Sequence, residues 1–145
     1  MAVRRSEAGG STLPDVLRAL AEARDGPFYN LFVTVTKGAR SKSGARPPDI
    51  GFRIYRVADG GDACVVLHLS APRLDDVEQT WTLSVQTDGR ALVVSGEVSV
   101  ENERGSQQLF ETSRRTTDET QAASLIHEIA QEVCAYREGF WTEED

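Results

Sequence analysis

The chain has 145 residues, a net charge of −7, 39% hydrophobic residues and two cysteines. That is enough chain to bury a core without disulfide or metal staples, and its composition is that of one ordinary globular domain. Eight Lys/Arg stand against five Asp/Glu in residues 1–49, and eight against eighteen beyond them. An acidic body of this kind speaks against binding nucleic acid or anionic membranes, which need a cationic surface.

Residues 1–11 read as a flexible, small and polar tail. The stretch has no apolar core behind Arg4 and Arg5 such as a secretory leader needs, so the expected location is a bacterial cytoplasm. A first helix is expected from Leu13 to Arg24. It is capped by Thr12 with Asp15, carries an apolar stripe of Leu13, Val16, Leu17 and Leu20, and is ended by Gly26-Pro27. Phe28–Thr36, rich in aromatic and β-branched residues, is expected as a first strand. A long connection follows from Lys37 to Asp49, with Gly38, Gly44, Pro47 and Pro48, and trypsin is expected to cut it first.

Five more strands are expected at Ile50–Val57, Cys64–Leu69, Glu78–Gln86, Arg90–Glu101 and Gln107–Ser113. Asp59–Asp62 and Asn102–Gly105 supply turns, and Asp88-Gly89 the strongest hairpin signal. Gly96 interrupts the fifth strand as a bulge would. The last helix starts at a Thr116/Glu119 capping box. It presents Ala122, Leu125, Ile126, Ile129, Val133 and Tyr136 on one face and stops near Gly139. The fold class is therefore α+β: an N-terminal helix, a six-stranded antiparallel meander and a long C-terminal helix packed across the sheet. Residues 12–141 form one domain, and 142–145 an acidic tail.

No motif in this order carries recognisable chemistry. Lys37–Gly44 has the glycines and cations of a phosphate loop, but Ala45-Arg46-Pro47-Pro48 follows where a helix must open. His127-Glu128 starts like a zinc-protease helix, but position 131 is Gln. Neither cysteine stands at a ligand or catalytic spacing from His68 or His127, so no cofactor or metal is expected. Glu97 and Arg53 are candidates for a buried polar pair if the second sheet face is covered. Tyr55, Val57, Cys64, Val66, Ala91 and Val93 are apolar on the parity of that second face, which points to a cover, with the first helix the simplest one.

The leading expectation is a non-catalytic binding or inhibitor protein of the immunity-protein or specific-chaperone type, acting on a basic protein partner. Its contacts are expected at Asp75, Asp76, Glu101 and Glu103, with the cations Lys37, Arg40, Lys42 and Arg46 as a second set. An alternative is a small-ligand-binding protein or enzyme with a pocket between the sheet and the last helix, lined by Arg53, Tyr55, Trp81 and His127. A third is a homo-oligomer associating through the second sheet face.

Overall fold

A computed structural model describes residues 8–40, 48–56, 63–72 and 77–136. Helix α1 (Ala8–Ala23) runs through one π turn (Arg24–Phe28) into helix α2 (Tyr29–Arg40). Strands β1 (Asp49–Arg56), β2 (Ala63–Pro72), β3 (Glu78–Asp88), β4 (Ala91–Asn102) and β5 (Gly105–Thr116) follow, and helix α3 (Glu119–Ala135) comes last. The five strands pair antiparallel in sequence order, so every pairing joins chain neighbours.

The N-terminal third departs most from the sequence expectation. The first helix starts at Ala8, inside the stretch read as a tail, so Thr12 lies within it and not at its cap. Gly26-Pro27 does not end it, and Phe28–Thr36 is helix, not strand, which leaves five strands where six were expected. Two physical effects account for this. Pro27 has no N–H to give to the Ala23 carbonyl, and its ring crowds that carbonyl in a regular helix. A π turn loosens the backbone there and lets the helix continue. Beyond it, Phe28, Leu31 and Val35 recur at helical spacing and are all fully buried, so tertiary burial overrides their β propensity. Thr34 satisfies its hydroxyl by donating to the Asn30 carbonyl at 3.1 Å. The apolar stripe of α1 is Val16, Ala19, Leu20 and Ala23, and Leu17 stays 48% exposed.

One face of the sheet carries the core. Across the strands, Leu67, Leu83 and Gly96 stand in one row, and Leu69, Trp81 and Val98 in the next. These side chains form a single buried cluster with Val16, Leu20, Phe28, Leu31, Ile126, Ile129 and Val133, so all three helices lie on the same side. The first helix therefore does not cover the second face; it packs on α3. Gly96 is neither a bulge nor a weak point. A Cβ there would lie 2.6 Å from a methyl of Ile129 and closer still to one of Val133. The missing side chain lets α3 settle onto β4. The bulge falls at Leu109, where pairing jumps from Val98↔Phe110 to Ser99↔Gln108.

Local chemistry sets the remaining boundaries. The β3–β4 loop is Gly89-Arg90, one residue later than expected, with Gly89 at φ 64° in its first position. Asp118, not Thr116, caps α3 by accepting from the Gln121 N–H at 3.0 Å. Thr116 braces the cap, accepting from the Asp118 N–H and donating to Gln121 Oε1 at 2.6 Å. At the other end, the Trp81 indole donates to the Tyr136 carbonyl at 2.8 Å and fixes where α3 stops. The expected stop near Gly139 lies outside the described residues.

Candidate functional site

Alternation along each strand builds the second face of the sheet. With Leu67, Trp81 and Val98 turned to the helices, His68, Thr82, Glu97 and Glu111 form a row on the other side. The adjacent rows hold Ser70, Thr80, Ser99 and Gln108, and Arg53, Val66, Ser84, Ser95 and Ser113. Among the described residues no helix or strand packs on this face. It is a wet antiparallel face dominated by hydroxyls, which the parity of β3 already indicated and the mixed parity of β2 obscured.

Hydrogen bonds stiffen it. Ser70 pairs with Thr80 and Ser95 with Ser113, each at 3.0 Å. The Gln108 amide donates to Glu97 Oε2 at 2.7 Å. Arg115 reaches from β5 across β4 to Asp88 on β3, 2.7 Å away. Ala91, opposite Asp88, and Cys64 are buried on this face. Carboxylates stand directly opposite one another at Glu78↔Glu101 and Glu97↔Glu111. Like charges at opposed positions weaken a sheet unless other groups offset them, as Gln108 does at Glu97.

His68, weighed in the sequence only for its spacing from the cysteines, lies on this face. Its partner on β1 is Gly51, whose lack of a side chain leaves room beside the ring; a Cβ there would sit 3.6 Å from Nε2. The imidazole is 12% exposed, and its Nδ1 lies 3.9 Å from Asp49 Oδ2. Burial, aided by the Arg53 charge and partly opposed by Asp49, pushes its pKa below the ordinary histidine value. Gln79, fully buried between Ala71 and Val100 on the helix side, is a polar group the sequence reading passed over, although it shares the parity of Trp81.

The three expected pocket residues whose side chains are described do not meet. Trp81 is fully buried against the helices, Arg53 is exposed on the opposite face, and His127 is half exposed on the outer side of α3. Tyr55 belongs to β1, and its side chain lies outside those described. His127 Nε2 instead contacts Glu22 of α1 at 3.1 Å. Two grooves, of about 280 and 250 Å³, run along the outside of the helical layer. The first is lined by Asp15, Arg18, Glu22, Thr120 and His127, the second by Pro27, Asn30, Gln131 and Cys134. Between α3 and the sheet, Ile126, Ile129 and Val133 are fully buried.

Glu97 and Arg53 do not pair either. They sit in different rows with two strands between them, about 14 Å apart at the usual strand spacing. Cys64 and Cys134 are both buried, one on the second face and one on α3, with the sheet between them. Among the described residues no group of three potential ligands is placed to hold a metal ion.

Of the expected partner contacts, Glu101 is the penultimate residue of β4 and Glu103 lies in the β4–β5 turn, both exposed. Lys37 is exposed on α2 and Arg40 closes that helix, so neither belongs to a loop. Asp75, Asp76, Lys42 and Arg46 lie outside the described residues. No described helix is long and apolar enough to cross a membrane. Comparison with known protein families, curated proteins and solved structures finds no match to the chain.

Proposed function

We propose that this is a non-catalytic binding protein, of the immunity-protein or specific-chaperone type, that docks a basic macromolecular partner on the bare face of its sheet. The observation that carries the reading is the one-sidedness of the fold. All three helices cover one face, and the other presents rows of hydroxyls and carboxylates with no described element over them. A sheet face held by short side chains and cross-strand hydrogen bonds is a rigid platform, and binding to it costs little ordering entropy. The opposed pairs Glu78↔Glu101 and Glu97↔Glu111 give it a negative potential that suits a cationic partner. Trp81, Arg53 and His127 stand on three separate surfaces, so these three side chains do not line one shared cavity.

The test is capture of the partner from native lysate with the tagged protein, followed by binding kinetics. Glu97→Lys, Glu101→Lys and Glu111→Lys together are expected to slow association at least tenfold while leaving the melting temperature within a few degrees. Unchanged kinetics for that triple variant would overturn the assignment of the face. A small metabolite that co-purifies stoichiometrically would overturn the binding-protein reading itself.

A further inference from the structure

The two edges of the sheet are built differently. β5 carries a bulge at Leu109 and is guarded by Glu111, Arg114 and Arg115, with Arg114 lying 3.8 Å from both Glu128 and Glu132 of α3. Bulges and charges of this kind are how proteins keep an edge from pairing. β1 has no bulge, and its exposed charges, Asp49 and Arg53, are opposite in sign. Its register with β2 runs without a break from Asp49 to Arg56, and it alternates Ile50, Phe52 and Ile54 with Asp49, Gly51 and Arg53. Phe52 remains 38% exposed, with the Arg24 guanidinium 5.1 Å above its ring. Asp49 and Arg53 are exposed on the other face.

The charges on this edge are self-complementary. If β1 meets a second copy of itself antiparallel, with Gly51 facing Gly51 on the two-fold axis, Asp49 faces Arg53 of the copy and Arg53 faces its Asp49. On the helix side, Ile50 faces Phe52 and Phe52 faces Ile50. All five positions from Asp49 to Arg53 are then matched, opposite charge to opposite charge and apolar to apolar, as cross-strand pairing favours. Pro48, which has no N–H to donate, marks where the ladder ends. Both copies keep their helices on one side, and their bare faces join into one continuous ten-stranded surface.

We propose that the protein forms a two-fold dimer by pairing β1 with β1 in this register. The inference goes beyond the proposed function and stands without it, because it concerns the edge of the sheet and not its face. Five paired residues a side make a small interface, so dissociation in the micromolar range is expected.

Sedimentation velocity up to about 100 µM tests it, a concentration chosen for a weak interface. The wild type is expected to dimerise. Asp49→Arg and Arg53→Asp, which each set like charges face to face twice per dimer, are expected to weaken it about tenfold or more. The double variant Asp49→Arg/Arg53→Asp swaps both partners and is expected to restore dimerisation to within about threefold, by the same pairing argument. Gly51→Cys gives a readout that does not depend on those variants folding equally well. Opposed Cα atoms in an antiparallel pair are about 4.5–5.5 Å apart, within disulfide range, and the native thiols are buried. Mild oxidation should therefore link Gly51→Cys into a covalent dimer. A monomer throughout the concentration range would overturn the proposal. So would a double variant no better than the singles, or cross-linking through Phe52→Cys and not through Gly51→Cys.

Discussion

At the scale of single residues, Gly96 and His68 decide more than their size suggests. A Cβ at Gly96 would overlap α3, so Gly96→Ala must displace Ile129 and Val133 or the helix itself. The expected cost is about 1–3 kcal/mol, the usual range for overpacking. Chemical denaturation of Gly96→Ala with and without Val133→Ala checks the cause. The second change opens space at the same spot, so the two effects should be clearly less than additive. Ile129→Ala alone, which empties a fully buried site, is expected to cost about 2–5 kcal/mol. His68 titrates below the ordinary histidine value in the folded protein, chiefly through burial. The unfolded chain therefore binds the proton more readily once pH falls below about 6.5, the model-peptide value. Stability is full above that pH and declines as pH drops toward the folded-state pKa. Urea midpoints at pH 7 and pH 5 should differ less in His68→Gln than in the parent; an identical difference would mean that His68 is not desolvated in the fold.

At the scale of elements, the decisive feature is the π turn. Read as sequence, Gly26-Pro27 is a stop signal and Phe28–Thr36 a good strand; both readings rest on local preference. What overrides them is the burial of Phe28, Leu31 and Val35, which no local rule reports. Gly26 offers a direct check. It has no positive φ, and a Cβ there would touch nothing within 4 Å. Gly26→Ala should then raise stability by about 0.4–1 kcal/mol if the helix runs through it, and lower it if the chain breaks there into a turn. The cap of α3 gives a second check: Asp118→Ala is expected to cost about 0.5–2 kcal/mol, while Thr117, exposed and outside the helix, should tolerate Ala. From β1 onward the strands were legible because short turns and clean alternation leave few ways to pair them, as Trp81, Leu83 and Val85 show. The last helix was legible from its apolar face, although its cap was placed two residues early.

At the scale of the whole molecule, the layering was legible only in part. Apolar residues such as Val66 and Val93 on the second parity suggested a cover, yet their neighbours in the same rows are Ser84, Ser95, Gln86 and Arg115. A one-dimensional pattern shows the period of a strand, but not which rows line up across five strands. For the same reason Glu97 and Arg53 looked able to meet, and the like-charged pairs at Glu78↔Glu101 and Glu97↔Glu111 stayed hidden until the register was known. With a net charge of −7, docking of a cationic partner to that face should be steered over long range. Association rates are expected to fall about tenfold or more between low and physiological salt, with dissociation much less affected. A salt-independent association rate would show that steering plays no part.

The meander and the helix pairing also set an order of assembly during synthesis. Each strand finds its partner in the segment that precedes it, so the sheet can zip up as it leaves the ribosome. Helix α1 cannot finish in that way. Its stripe of Val16, Ala19, Leu20 and Ala23 packs in the layer completed by α3, which is made after all five described strands. Until then the first helix and the apolar side of a nearly complete sheet are both bare. The nascent chain is consequently most prone to aggregate in the interval before α3 is available, and a ribosome stalled ahead of Glu119 would hold it in that state.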